Sequence, residues 1–474
     1  MKEKQIKIVD IVAVERSGSK IILPESLSTE RAITVLEDLL TEEETIVSIH
    51  AMTDSFVFDG AYGFNKVLAE TFGFAIGRPT PGFFGSNPPT SLSVDTGIDE
   101  NGHVTSEQIL WGRMELPGVE GYLNTSTWND GGVIKFAIGG EVKKKYEGIV
   151  NRIIDDTKAY LKTRSVYKGK AFGLRLTDEN GDAIPMPKPD FLDSRFDVDV
   201  IFPVDTQAAV DVSIYTPILH TEDCRTHGIP LKRGILLEGP WGVGKSLVGR
   251  SVMHKAVANG WTYIEVTNIN DLANIVKLAR SFGPAVIFCE DIDKVMKGAR
   301  SITMDQILNI VDGVSSKDSE IMIVLTTNEI DNINQAMLRP GRLDAVIAVR
   351  PPDAKAVEKL IRLYGRGLIA DDINLDKASA ALEGCIASVV REVVERSKLA
   401  AIGLCAGGDL VVTEQAILNT IPTMATHLAK LQPKVVDDRP DIVKAADLMG
   451  SKLSDAVTKA LAFPFSESEA VTQA

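Results

Sequence analysis

The chain has 474 residues, 44% hydrophobic and 24% charged, with a formal net charge of −14. At roughly 150 residues per domain this predicts several domains with full apolar cores. The acidic balance argues against a nucleic-acid partner, which needs clustered Lys and Arg to neutralise phosphates. No run reaches the ~18 apolar residues of a membrane span, and the first residues carry no secretory pattern, so a cytoplasmic protein without a membrane partner is expected. Four cysteines (Cys224, Cys289, Cys385 and Cys405) lack metal-ligand spacing and read as reduced thiols.

In chain order, 8–14 and 46–50 are predicted as strands, and 30–42 and 64–72 as helices. The Pro/Gly-rich stretch 78–90 reads as a loop carrying the adjacent residues Phe83 and Phe84, equally suited to a partner contact or to core filling. Segments 108–116, 121–124 and 133–138 alternate as a β-meander would. Residues 141–162 predict a helix with Val142, Tyr146, Ile149, Ile153 and Tyr160 near one face, followed by an extended stretch at 166–176. The Pro- and charge-rich 178–193 reads as a linker.

From about Phe196 short apolar strands alternate with helices, the signature of a parallel α/β sheet. The predicted strands are 234–238, 263–266, 285–289, 321–326 and 345–349. Helices are expected at 354–364, 386–401, 414–430 and 441–462. The fold class is therefore α/β: a phosphate-loop parallel-sheet core with a C-terminal helical lid, preceded by a separate α+β N-terminal domain. The boundaries are 1–195 for the N-terminal recognition or substrate domain, 196–352 for the nucleotide-binding domain, 353–462 for the lid and C-terminal helices, and 463–474 for a tail.

Residues 239–246 read Gly-Pro-Trp-Gly-Val-Gly-Lys-Ser, the spacing G-x-x-x-x-G-K-[ST]. An apolar strand precedes it and a helix follows. Glycines let backbone N–H groups approach phosphate oxygens, and the helix start points its positive end at an anion. The nucleotide-binding set is Gly239, Pro240, Trp241, Gly242, Val243, Gly244, Lys245, Ser246 and Leu247. Lys245 reaches the β- and γ-phosphates, and Ser246 ligates Mg²⁺. Trp241 can pack on a neighbour or shield the turn. A second element is an apolar strand ending in Glu290 and Asp291, where the crevice of such a sheet opens. One carboxylate orients the metal's hydration shell and the other polarises the attacking water. Asn328 ends a third apolar strand, and Arg339 and Arg342 flank a Pro-Gly turn with guanidinium forks suited to phosphate oxygens.

Together these motifs resemble the AAA+ ATPases, within them the classical AAA clade, over about 198–431. The resemblance implies ATP and Mg²⁺ as cofactors and ATP hydrolysis as the activity. It implies Lys245 and Ser246 as Walker A residues, Glu290 and Asp291 as the Walker B pair, and Asn328 as sensor one. Arg339 and Arg342 then resemble arginine fingers acting in trans on a neighbour's nucleotide. That implies a homo-oligomeric ring, of six subunits or alternatively seven. By position, Asp291 is the general base and Glu290, with Ser246, lies on the metal side. The order Glu290-Asp291 reverses the usual Asp-Glu. It is similar to that of the mitochondrial Rieske-protein translocase subgroup, as are the stretches 227–234 and 308–314.

Threading members of the clade carry an aromatic pore loop after the second strand. Here the connection between Val266 and Pro284 is short and has no aromatic at that position, unless Ile269 or Leu272 serves. The expected function is an ATP-driven ring that remodels, chaperones or translocates protein partners without aromatic threading. A nucleic-acid motor or loader and a nucleotide-switched scaffold are the alternatives.

Overall fold

The computed structural model describes residues 28–82, 85–292, 320–328, 343–370, 372–404 and 411–424, with the strands Glu15–Ser17 and Lys20–Ile22. The expected strand at 8–14, residues Phe83 and Phe84, the stretch 308–314, Arg339, Arg342, Cys405, the end of the helix at 414–430 and everything beyond lie outside the described residues.

The N-terminal region begins with helix α1 (Thr29–Glu44), capped by the Ser28 hydroxyl. Strand β1 (Ile46–Phe56) leads into α2 (Val57–Phe72). Strands β2 (Thr90–Ile98) and β3 (Val104–Trp111) form a hairpin of their own. Strands β4 (Arg113–Glu115), β5 (Gly121–Asp130) and β6 (Val133–Lys143) complete a five-stranded antiparallel sheet in the order β1-β6-β5-β4, with the short strand Ile76–Gly77 at the edge. The helix expected from 141 begins at Glu147 (α3, Glu147–Arg164). Residues 141–143 instead extend β6, where Glu141 pairs with both Tyr122 and Ser48. Cross-strand pairing on two sides outweighs a local helical periodicity. The loop expected at 78–90 also contains a short ribbon, Thr80–Gly82 against Gly85–Asn87.

The second sheet has seven strands: β7 (Ala171–Leu174), β8 (Asp190–Phe191), β9 (Arg233–Glu238), β10 (Thr262–Val266), β11 (Ala285–Cys289), β12 (Ile321–Thr327) and β13 (Ala345–Ala348). Their order is β8-β7-β10-β11-β12-β9-β13, parallel throughout except for the edge pair β8–β7. The five strands expected after residue 196 all form, to within a residue or so. The sheet also extends to the N-terminal side of that position, because β7 pairs in parallel with β10. Helix α4 (Lys245–Ala258) follows β9, and α5 (Leu272–Ala279) lies between β10 and β11.

Successive side chains of a strand point to opposite faces, so each strand feeds two cores. On one face Ile235, Leu237, Tyr263, Phe288 and Val324 pack with Val248 and Val252 of α4. On the other, Leu236, Ile264, Ile287 and Ile323 join α5 and the buried side chains of α2, α3 and the N-terminal sheet in one continuous core. Tyr167 sits at the junction, with ring centroids 5.7 Å from Phe56, 5.3 Å from Phe172 and 6.0 Å from Phe282. The N-terminal region thus has its own sheet and shares its apolar core with the parallel one.

The connection after β10 is mostly helical, as expected. Ile269 and Leu272 are only 5% and 0% exposed and belong to that shared core, which rules them out as pore-facing paddles. Asp271 beside them is buried and accepts bonds from Leu176 N (2.7 Å) and Thr177 Oγ1 (2.7 Å), tying the connection to the chain after β7. Helices α6 (Ala354–Gly365), α7 (Asp376–Leu382), α8 (Ala387–Leu404) and α9 (Glu414–Thr420) build a separate apolar bundle at the C-terminal end. Among the described residues no helix is long and apolar enough to cross a membrane.

Candidate nucleotide site

In the strand order β10-β11-β12-β9-β13 the chain reverses direction of travel at β9, beside β12. The crevice at the carboxyl ends of the strands beside such a switch point is where ligands bind in open α/β sheets. The phosphate-type loop leaves β9 there. Gly239, Gly242 and Gly244 have φ of 153°, 81° and 109°, conformations that disfavour a side chain. A Cβ at Gly239 would stand 2.3 Å from Val349 O, and one at Gly242 would stand 2.8 Å from Ile386 Cδ1. The loop is therefore pinned between β13 and the lid. Val243 is buried beneath it, and Trp241 is 63% exposed at its tip.

Lys245 opens α4 and is only 6% exposed. Its Nζ donates to Gly239 O (2.6 Å), Pro240 O (2.9 Å) and Asn328 Oδ1 (2.8 Å). Asn328 in turn donates from Nδ2 to Asp291 Oδ1 at 2.8 Å. Asp291 N donates to Thr326 Oγ1 at 2.9 Å. A chain of polar contacts thus joins the ends of β9, β12 and β11 and brings Lys245, Asn328 and Asp291 together. Asp291 has φ 49°, the left-handed region. Asp and Asn enter that region far more readily than longer side chains. This gives a physical reason for the shorter acid in second place: Glu at 291 would strain the backbone that aims the carboxylate.

Glu290 is exposed and turns elsewhere. With Ser246 it lines a cavity of about 530 Å³ between α4 and strands β10 and β11. A hydroxyl and a carboxylate oxygen are the donors a hard divalent cation prefers. With the cationic amine of Lys245 and the glycine-built loop at a helix start, these residues fit a metal-bound polyphosphate. Burial, and then the Glu290 carboxylate, push the Glu265 carboxyl up, while Arg250 opposes the rise. Burial, helped by Glu290 and Asp291, pushes the Cys289 thiol up to about 12, so it stays neutral and unreactive.

Sequence reasoning did not single out Phe202, whose ring stands 3.3 Å from a Cβ built on Gly244, or Ile386 and Ser388 of the lid beside Gly242. Nothing local marks them. Glu265 does carry a sequence signal: it is the one charged residue of the strand Thr262–Val266.

Residues 235–351 match the family described as ATPase family associated with various cellular activities (AAA). Among curated proteins, the proteasome-activating nucleotidase of Methanocaldococcus jannaschii is 31% identical over 39% of this chain and 47% of its own length. The 26S proteasome regulatory subunit 8 homolog of Saccharomyces cerevisiae is 29% identical over 40% of this chain and 51% of its own. The cell division cycle protein 48 homolog of Archaeoglobus fulgidus is 31% identical over 39% of this chain and 28% of its own. The chain spans about half the length or less of these relatives. With a glycine loop at the head of α4 and acidic and amide groups at the neighbouring strand ends, residues 235–351 are an AAA ATPase domain with relatives in the classical AAA clade.

Proposed function

We propose that the protein is a ring-forming ATPase that couples ATP binding and hydrolysis to the remodelling, chaperoning or translocation of protein partners. The observation that carries this reading is the bond chain Lys245–Asn328–Asp291 across three strand ends. It sets a phosphate-binding amine and a carboxylate base on one amide.

In this reading the loop from Gly239 to Leu247 cradles the phosphates, and Lys245 meets the β- and γ-oxygens. Ser246 and Glu290 hold Mg²⁺, which when bound would neutralise charge on the phosphate oxygens. Asp291 accepts the proton of the attacking water as its oxygen bonds to the γ-phosphorus and the bridging oxygen leaves with ADP. Asn328 aims the Asp291 carboxylate through the bond at 2.8 Å. Arg339 and Arg342 serve a neighbouring subunit's nucleotide in trans, which requires a closed ring, six subunits in our reading and seven as the alternative. Residues 1–195, apart from the strands β7 and β8 that join the parallel sheet, act as the recognition domain for a protein partner in the cytoplasm. The burial of Ile269 and Leu272 supports a ring that moves its partners without threading them. The reversed acid pair supports a similarity in motif pattern to the Rieske-translocase subgroup.

Phosphate release and nucleotide binding, measured on Asp291→Asn, test the assignment. Asn tolerates the same left-handed backbone, so the fold is retained. Hydrolysis is expected to collapse while ATP binding survives; hydrolysis at the wild-type rate overturns the role of Asp291.

A further inference from the structure

The cavity beside Ser246 holds a carboxylate that the site as described leaves unused. Glu265 lies on β10, and its register partner on β11 is Phe288. Residues two apart share a face of a strand, so Glu290, two positions beyond Phe288, falls on the same face as Glu265. Both carboxylates, with Ser246, Gly249 and Arg250 of α4, line this one cavity. Glu265 is half-buried. Three carboxylates, Asp193, Glu265 and Glu290, and one cation, Arg250, line the cavity; Asp193 is paired with Arg195 at 2.7 Å, so Glu265 and Glu290 face Arg250 with one negative charge in excess. That excess lies toward the hydroxyl and carboxylate assigned to the metal.

We propose that Glu265 is a further positioning residue of the nucleotide site, orienting through water the divalent cation held by Ser246 and Glu290. The proposal rests on the ATPase reading and deepens it. Mg²⁺ dehydrates reluctantly and keeps several waters, bound through one or two carboxylates and the substrate phosphates. The retained waters need acceptors, and an acceptor one strand away from the ligand supplies the outer shell that fixes ligand geometry. Glu265 enters the cavity from the strand next to that of Glu290 and so meets this requirement from the side opposite the loop. Arg250 balances one charge of the pair Glu265 and Glu290, and the charge left over favours a cation there, the rest of whose positive charge the nucleotide phosphates would meet.

The test uses the full chain with ADP and Mn²⁺ as the paramagnetic probe. Free Mn²⁺ is read by electron paramagnetic resonance for wild type, Glu265→Gln and Glu265→Asp. Nucleotide affinity is measured separately in chelator. Loss of an outer-shell partner weakens metal affinity by about 10-fold or more. Glu265→Gln is therefore expected to raise the Mn²⁺ dissociation constant by about 10-fold, with metal-free ADP affinity unchanged and Glu265→Asp in between. A residue that merely balances Arg250 would alter thermal stability and leave Mn²⁺ affinity alone. If wild type binds Mn²⁺ and ADP and Glu265→Gln matches it, the inference fails and the ATPase reading stands. If wild type binds no nucleotide, both fall. Should Glu265→Gln not fold, Glu265→Asp reads the same quantity, and wild-type metal affinity there overturns the proposal.

Discussion

Replacing Asn328 by alanine cuts the polar chain at its middle. Among the described residues the Asn328 side chain accepts a bond of 2.8 Å from Lys245 Nζ and donates one of 2.8 Å to Asp291 Oδ1. Bonds to charged groups are worth about 1.5–3 kcal/mol each, but the two losses differ in consequence. Lys245 keeps Gly239 O and Pro240 O as acceptors, so its position and the affinity for ATP should change little. Asp291 loses the amide that aims its carboxylate. Removing one preorganised donor from a reacting centre costs about 2.7–4 kcal/mol, or about 10²–10³ in kcat. Asn328 is only half-buried, which places the expected loss at the lower end, about 10²-fold. Steady-state phosphate release gives kcat, and titration with a fluorescent nucleotide gives affinity. A folded variant whose kcat stays within about threefold of wild type would refute the reasoning, and so would a loss confined to KM.

Two further outcomes follow from packing and burial. The Asp59 carboxyl is 3% exposed and is raised by burial to about 6, against the bond it accepts from Val166 N at 2.8 Å. The folded state then holds a proton that the unfolded state has released above about pH 4, so stability falls as pH rises through about 4 to 6 and stays lower above it. The shift from 3.8 to about 6 corresponds to about 3 kcal/mol. Asp59→Asn stays neutral and should flatten that part of the profile, read by chemical denaturation at pH 4 and 7; an unchanged pH dependence contradicts the linkage. At Gly249, where α4 crosses β11, a Cβ would stand 2.5 Å from Phe288 Cζ in the core. Overpacking of this kind costs about 1–3 kcal/mol, of which helix propensity returns up to about 1. Gly249→Ala should therefore lower the denaturation midpoint, and Phe288→Leu should restore part of it; a stabilised variant would show that the helix rides clear of the sheet.

Some of this protein could be read directly from its residues. The loop Gly239–Ser246 is contiguous, and its chemistry follows from spacing alone. Four of the five apolar strands after residue 196, β9 to β12, are buried on both faces, and the edge strand β13 only in part, so these runs stand out without any knowledge of their partners. Other parts depend on partners distant in the chain. Residues 141–143 carry a helical periodicity and become strand because Ser48 and Tyr122 lie on either side of Glu141. Strand β7 joins the parallel sheet only because Tyr263 and its neighbours present a free edge to Ala171. Helix α7 was not foreseen: seven residues are too few for a periodic signal.

What the sequence determined by itself is the ligand chemistry: glycines, a lysine, a serine and two adjacent acids at fixed local spacing. What only the tertiary structure decided is how those groups share work. Asp291 meets Asn328 while Glu290 turns to the cavity of Ser246 and Glu265. The division arises because a left-handed backbone at Asp291 sends two consecutive carboxylates in different directions, and no linear spacing records a dihedral angle.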